Sequence, residues 1–245
     1  RDRLRSRGLG DVYKRQGYMQ FGALIVAAGM SSRMGEFKPM LNIGSISIAQ
    51  RIVATLRQSG VTRIVMVTGH NARELEHHLA NNGLIFLRNE QYRTTQMFDS
   101  AKIGLEYLKD KCDGILFTPV DIPLFTASTV SALMDCGARL VCPVCEGRRG
   151  HPILIGTELV DTILTYCGEG GLGGAIEHCG AEMTEIAVED SGILHDADTP
   201  EDYRALLSYH NRQLVRPIIN VELAKEKVFF DRKIAMLLTL VEETN

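Results

Sequence analysis

The chain has 245 residues, enough for one large domain or for one domain with an additional fragment. Hydrophobic residues make up 45% of the sequence and charged residues 23%, which is ordinary for a globular protein with a sizeable core. No apolar run approaches the roughly 20 residues that a membrane-spanning helix needs, which excludes a transmembrane helix.

Residues 1–18 do not resemble a segment that evolved to fold. They lack apolar periodicity, and residues 11–16 (DVYKRQ) resemble a translated sequencing adapter. Six basic and two acidic residues lie there, four positive charges in excess, so the net charge of −3 becomes −7 without them. A basic nucleic-acid arm is the alternative, but an acidic body argues against a large nucleic-acid surface. No signal-peptide core follows, and we expect the natural start near Met19.

From residue 19 to residue 212, short β-branched runs alternate with amphipathic segments, which predicts an α/β fold with a mostly parallel sheet. The predicted strands are Ala23–Ala27, Ile64–Thr68, Leu84–Leu87, Gly114–Thr118, Leu140–Val144, Pro152–Ile155 and Glu185–Val188. The predicted helices are Ile48–Ser59, Ala72–Ala80, Phe98–Leu108, Ala127–Cys136, Glu158–Tyr166 and Pro200–Tyr209. Thr199 and Pro200, followed by two acidic residues, form a clear helix start.

The cysteines are scattered and follow no secretory signal, which predicts reduced thiols in a cytoplasmic protein. Cys142 and Cys145 have the spacing of a metal or redox pair. They lie in a predicted strand, however, where residues three apart point to opposite faces. We therefore expect them to be buried structural cysteines.

The first predicted strand runs into a glycine-bearing loop, residues 28–38. Such a loop presents backbone N–H groups at the carboxyl edge of the sheet, where α/β proteins bind phosphates. Arg33 and Lys38 could add two cations to a polyphosphate site. The loop matches neither the Walker A motif nor the dinucleotide fingerprint. An ordinary turn with solvated charges is the alternative.

Residues 27–38 (AAGMSSRMGEFK) resemble the signature of the nucleotidyltransferases that attach CMP or GMP to molybdopterin, with agreement in spacing and residue type over twelve positions. The resemblance implies a three-layer, Rossmann-like nucleotide-diphospho-sugar transferase fold with a mostly parallel mixed sheet. It also implies that Arg33 and Lys38 are catalytic cations. The nucleotide-binding residues that it implies in this loop are Ala27, Ala28, Gly29, Ser31, Arg33, Gly35 and Lys38.

Two acidic segments are candidates for a Mg²⁺ site. Asp121 follows an apolar predicted strand, where a carboxylate is well placed to bind Mg²⁺ beside a phosphate, although Asp-x-Pro is also common in plain turns. The resemblance makes Asp121 a catalytic residue and a metal ligand. Residues 195–202 (HDADTPED) resemble a family segment with a second metal ligand, here Asp198 first and Asp196 second. Simple helix capping is the alternative for this segment.

Weaker similarities extend the resemblance to the rest of the site. Asn89 and Ser100 match the loop and helix start that contact base and ribose. Gly150 and His151 match a segment on the acceptor side, although His151 could equally be a structural histidine. The glycine-rich stretch Cys167–Gly174 predicts a mobile loop at the acceptor.

Together these features predict a Mg²⁺-dependent nucleotidyltransferase. An acceptor phosphate would attack the α-phosphorus of an NTP, and pyrophosphate would leave. Family members that use GTP tend to have glycine where this chain has Ala28, which favours CTP over GTP, and the resemblance implies molybdopterin as the acceptor. The alternatives are a sugar- or choline-phosphate nucleotidyltransferase and a family member that has lost catalysis.

A different pattern begins near residue 213. Val215–Val221 is predicted as a strand and Lys233–Glu243 as a helix. Both resemble the opening of molybdate-responsive winged helix-turn-helix regulators. We therefore expect an NTP transferase domain at residues 19–212 and the truncated start of a winged-helix domain at residues 213–245, with DNA as a partner only through the missing part. A molybdate-linked regulator is the function of another class, and a hairpin with a docking helix is the structural alternative.

Overall fold

The computed structural model describes residues 19–29 and 34–214. The predicted elements after Leu214, the expected non-native segment 1–18, and the candidate residues Ser31 and Arg33 lie outside the described residues.

The described residues form strands that alternate with helices. The strands are β1 (Phe21–Ala27), β2 (Asn42–Ile43), β3 (Ile46–Ser47), β4 (Arg63–Thr68), β5 (Ile85–Arg88), β6 (Gly114–Pro119), β7 (Leu140–Cys145), β8 (Arg148–Arg149), β9 (Ile153–Gly156) and β10 (Thr184–Ala187). The helices are α1 (Ile48–Gln58), α2 (Ala72–His78), α3 (Met97–Leu108), α4 (Ala127–Asp135), α5 (Val160–Thr165), α6 (Gly171–His178) and α7 (Pro200–Gln213). Short 3₁₀ helices lie at Lys38–Met40, Ala80–Asn82, Thr157–Leu159 and Ser191–Leu194.

The main sheet of the described chain has the strand order β10-β7-β9-β6-β1-β4-β5, with β8 paired to β7. β1 is parallel to both of its neighbours, β4 and β6. β9 is antiparallel to β6 and β7, which makes the sheet mixed. This arrangement confirms the predicted α/β fold with a mostly parallel sheet.

The core lies on both faces of this sheet. Along β1, Ala23, Ile25 and Ala27 are buried in the cluster that contains α1, α4 and α7. The alternating residues Leu24 and Val26 are buried in a second cluster, against α3, α5 and α6. Because successive strand residues point to opposite faces, a continuous apolar run is what a strand covered on both sides requires. The result is three layers.

Two predicted helix starts are confirmed by their capping contacts. Ser47 and Gln50 form a reciprocal capping box at the start of α1. At α7, the Thr199 hydroxyl accepts a hydrogen bond from the Asp202 amide at 3.2 Å, and the Asp202 carboxylate accepts one from the Thr199 amide at 2.9 Å. These contacts satisfy amide groups that the helix itself leaves unpaired.

The glycine-rich stretch differs from its prediction, because its second half forms the first turn of α6. Gly170 precedes the helix with a left-handed backbone, at φ 85°. Glycine is a weak helix former, but Ala175 and Ile176 are buried in the second core cluster. Their burial stabilises a helix that local sequence preference does not predict.

The buried cysteines are found as predicted. Cys142 is buried in the cluster that contains α3, and Cys145 in the cluster that contains α1. The two thiols therefore lie on opposite faces of β7 and do not form a pair.

Asp190 anchors the segment that leads to α7. Its carboxylate is only 6% exposed and accepts hydrogen bonds from the amide and hydroxyl of Thr126, the hydroxyl of Thr129 and the amide of Gly192. Thr126 is the N-cap residue of α4. The start of α4 and the chain after Asp190 are thereby tied to the same carboxylate.

His151 packs against the sheet, with its ring 5.9 Å from the ring of Phe117 in β6. Its Nδ1 atom is buried and has no hydrogen-bond partner among the described residues. Burial lowers the pKa of His151 from 6.5 to about 4, and the backbone of Phe117 offsets part of this effect. The imidazole is therefore neutral in the folded protein near neutral pH.

Protonation of His151 should destabilise the fold in mildly acidic solution. The unfolded chain takes up this proton near pH 6.5 and the folded chain only near pH 4, so the free energy of unfolding should fall as the pH drops through this window. The expected loss is about 3 kcal/mol, measured by urea unfolding between pH 7 and pH 4. His151→Gln should flatten this part of the profile, whereas His77→Gln, at an exposed position of α2, should not. Parallel profiles for wild type and His151→Gln would contradict the assignment.

Candidate active site

A cavity of about 170 Å³ opens at the carboxyl ends of β1 and β6. The chain that leaves β1, the 3₁₀ helix at Lys38, the segment from Tyr92 to Ser100 and the chain that leaves β6 surround it. The predicted site residues that line it are Ala27, Ala28, Gly29, Lys38, Ser100 and Asp121. We call it the first cavity.

Lys38 connects the two acidic segments. Its ammonium lies 2.6 Å from a carboxylate oxygen of Asp198 and 3.9 Å from one of Asp121. The amide of Ala197 donates a hydrogen bond to the Asp121 carbonyl at 3.0 Å, which holds the segment 196–198 against the end of β6. Residues far apart in sequence thus form one charged group.

Among the described residues, three aspartates, Asp121, Asp196 and Asp198, lie close together beside Lys38 at this end of the cavity. Burial raises the pKa of Asp121 above its ordinary value, Lys38 opposes this effect, and the charges of Asp198 and Asp196 add to it. Burial also raises the pKa of Asp196, to which Asp198 and Asp202 contribute. Mutual repulsion of this kind is lowered by cations that lie beside the carboxylates.

The aspartates beside Lys38 suit a metal ion whose remaining ligands come from a bound substrate. Among residues 19–29 and 34–214, no three His, Cys, Asp or Glu side chains converge on a metal position. Mg²⁺, however, is commonly bound by one or two carboxylates together with substrate phosphate oxygens. Asp121 and Asp198 supply hard oxygen donors of that type beside an open cavity.

Asn89 lies behind the wall of the first cavity and is 5% exposed. Its side-chain amide donates to the hydroxyls of Thr95 and Ser100, both at 2.9 Å, and its carbonyl oxygen accepts from the Gln91 amide at 2.9 Å. Both Thr95 and Ser100 line the cavity. Asn89 therefore fixes the wall from inside the protein.

A second cavity of about 590 Å³ adjoins the first, and Gln96, Met97 and Pro119 line both. The start of α6 and the side chain of His151 line its far side. Gly150 lies beneath this wall, where its amide donates to the Pro143 carbonyl at 2.9 Å.

Several lining residues were not predicted from the sequence. They are Pro39, Tyr92, Thr95, Gln96, Pro119 and Val120 in the first cavity. None of them carries a charge and most belong to no motif, so their role follows only from the folded chain. Gly35 has a left-handed backbone, at φ 72°, which suits glycine at the turn before Lys38.

None of the helices among the described residues combines the length and the apolar character that crossing a bilayer requires.

Two protein relatives share this sequence pattern. The molybdenum cofactor cytidylyltransferase of Escherichia coli is 27% identical over 183 residues, which cover 74% of this chain and 92% of that protein. The bifunctional protein GlmU of Staphylococcus haemolyticus is 30% identical over 119 residues, 48% of this chain. The chain spans 26%, about a quarter, of the length of that GlmU protein.

Solved structures share the fold. A nucleotidyl transferase from Methanothermobacter superposes with a TM-score of 0.71 at 21% identity, over 81% of this chain and 100% of that one. The Rv0371C protein of Mycobacterium tuberculosis, solved in complex with manganese, has a TM-score of 0.65 at 20% identity, over 78% of this chain and 99% of that one.

The family follows from the sequence itself. The model of the MobA-like NTP transferase domain matches residues 23–183, more than half of the chain and nearly all of the sheet described above. The chain therefore belongs to the family of MobA-like NTP transferase domains, and it is a nucleotidyltransferase.

Proposed function

We propose that this nucleotidyltransferase transfers CMP, and less readily GMP, from an NTP to molybdopterin with the help of Mg²⁺. The observation that carries the proposal is the pair of adjoining cavities, one with charged groups at its mouth and the other mostly apolar. The first would hold the NTP and the second the acceptor. The cytidylyltransferase activity named for the Escherichia coli relative supports this choice.

The reaction needs positioning and charge neutralisation more than proton transfer. An oxygen of the acceptor phosphate forms a bond to the α-phosphorus of the NTP, and the bond from that phosphorus to the β-phosphate oxygen breaks. Pyrophosphate leaves with the electron pair. The attacking phosphate is already anionic, so no general base is required.

Lys38 is the described cation that would face the triphosphate. Its side chain is 11% exposed and is fixed by the aspartates beside it, so it would meet the leaving pyrophosphate without a large rearrangement. Arg33, which the sequence assigns to the same role, is part of the proposal on the strength of the motif. The other nucleotide contacts proposed on that basis are Ala27, Ala28, Gly29, Ser31, Gly35 and Ser100, and Asn89 would act by holding the wall behind them.

Asp121 and Asp198 would hold the Mg²⁺ ion, with Asp196 as a further candidate ligand. The metal would supply positive charge beside the phosphates. The grouping of these carboxylates at the edge of the first cavity supports this assignment, as does the manganese complex of the Mycobacterium tuberculosis neighbour.

The second cavity would hold the body of the acceptor. Its apolar walls include Phe98, Phe117 and Ile153, and Arg149 lies at its rim. A flat, partly apolar acceptor would cover these side chains while its phosphate points toward the first cavity. Gly150 and His151 are the proposed acceptor residues, His151 on the wall and Gly150 beneath it.

Pyrophosphate release tests the proposed function directly. The purified protein is supplied with each of the four NTPs and Mg²⁺, with and without molybdopterin. We expect pyrophosphate release only when molybdopterin is present, and we expect more of it with CTP than with GTP. Release that requires a sugar phosphate or choline phosphate instead would support nucleotidyl transfer but show that molybdopterin is not the acceptor.

Asp121→Ala should lower turnover on the order of 100-fold, because charge that develops on the phosphates would lose its stabilisation. The matched control is Asp135→Ala, which removes an exposed carboxylate at the end of α4 and should leave turnover unchanged. Turnover is measured as pyrophosphate release at saturating Mg²⁺, and circular dichroism verifies the fold of both variants. Near-wild-type activity of Asp121→Ala would show that Asp121 is not a ligand of the metal.

Ala28→Gly should raise the use of GTP. Ala28 is 4% exposed and lines the first cavity, so its methyl group takes up space that a purine would need. One methyl group in a packed site discriminates by about 10- to 200-fold. The ratio of kcat/KM for CTP to that for GTP should therefore fall, with CTP use little changed. Thermal unfolding controls for the added backbone freedom, and an unchanged ratio would show that the base is selected elsewhere.

A further inference from the structure

A third cavity of about 340 Å³ lies behind the first, at the carboxyl ends of β4 and β5. Its lining is polar and apolar in about equal parts, with Arg73, Glu74 and Arg88 in its wall. Tyr92 lines both this cavity and the first one. Tyr92 therefore lies between the two cavities, and we call its side chain the partition.

Tyr92 is packed closely against its neighbours. A Cβ atom built at Gly69 would lie 2.7 Å from the Cβ atom of Tyr92 and 2.9 Å from the carbonyl oxygen of Ala28. Real side chains do not tolerate such contacts, so glycine at position 69 is what allows Tyr92 and the Ala28 carbonyl to approach the same point of the backbone. Tyr92 and Ala28 therefore both pack against Gly69.

Contacts on the ring and on the backbone limit its movement. The ring lies 6.0 Å from that of His70, which in turn packs edge-on to Phe37 at 5.8 Å. The Arg93 guanidinium donates a hydrogen bond to the Tyr92 hydroxyl at 3.1 Å. The Tyr92 amide donates to the carbonyl of Asn89 at 3.3 Å.

Asn89 makes the partition part of a rigid wall. The same residue binds Thr95 and Ser100 through its side chain, so one buried amide fixes the chain on both sides of the tyrosine. An incoming base that pushes the ring aside would have to break its hydrogen bond from Arg93 and its packing against His70. The partition thus resists a ligand that is too long for the cavity.

We propose that Tyr92 determines nucleotide specificity by limiting the length of the base that the first cavity admits. This inference rests on the proposed function, which places the NTP in that cavity. A pyrimidine fits in front of the ring, and a purine meets it. Without the ring, the first and third cavities join, and the larger base extends into the space between Arg73 and Arg88.

The test compares Tyr92→Ala, Tyr92→Leu and Tyr92→Phe with wild type. kcat/KM is measured for CTP and GTP by pyrophosphate release, and Kd for both nucleotides is measured by calorimetry. Tyr92→Ala and Tyr92→Leu should lower the CTP-to-GTP ratio about 10-fold or more, because the obstruction to the purine is removed. Tyr92→Phe keeps the ring and should keep the ratio. Tyr107→Ala, in α3 and away from these cavities, is the matched control and should also keep it.

Two results would overturn the proposal. An equal loss for CTP and GTP would show that Tyr92 supports any nucleotide and selects none. An unchanged ratio in both Tyr92→Ala and Tyr92→Leu would show that the ring does not bound the base. If Tyr92→Ala does not fold, Tyr92→Leu, which retains apolar bulk, decides. If no acceptor supports pyrophosphate release from an NTP, the proposed function is wrong. The ratio of the Kd values for CTP and GTP in the variants still tests the role of Tyr92 in that case.

Discussion

The parallel pairing of β1 with β6 is the constraint on which the site depends. Val26 lies opposite Pro119 in this register, and the Val120 amide donates to the Val26 carbonyl at 3.0 Å beyond it. Ala28 and Asp121 therefore leave the sheet at the same edge. If β6 ran antiparallel, Asp121 would lie at the other edge, about 20 Å away over six strand residues.

The site combines two chemical environments that share one wall. At one end, Lys38 and the aspartates concentrate charge where phosphates would react, and at the other, apolar side chains from α3, β6 and α6 surround a larger space. Met97 lies between them with 56% of its surface exposed, as part of the wall common to both cavities. In the proposed function, charge stabilisation and acceptor recognition would therefore belong to separate parts of the fold.

Most of the fold could be predicted from the sequence, because buried strands are continuous apolar runs and α1 repeats its apolar residues at helical spacing. α6 could not, since its glycines oppose a helix and the burial of Ala175 decides the outcome. Lys38 and Asp121 were predicted from motifs, and the structure brings them together. The contact of Lys38 with Asp198, 160 positions later, and the place of Tyr92 depend on the folded chain and leave no local pattern.

The buried carboxylate of Asp190 has a consequence for the entropy of the reaction. Three of its four hydrogen bonds join the chain before Asp196 and Asp198 to the start of α4, while the Thr199–Asp202 cap fixes the chain after them. Ordering a free residue costs about 1–2 kcal/mol of conformational entropy. For this acidic segment the cost is met when the protein folds. In the proposed reaction, substrates would therefore meet carboxylates that already occupy their places, and binding would not have to supply that order.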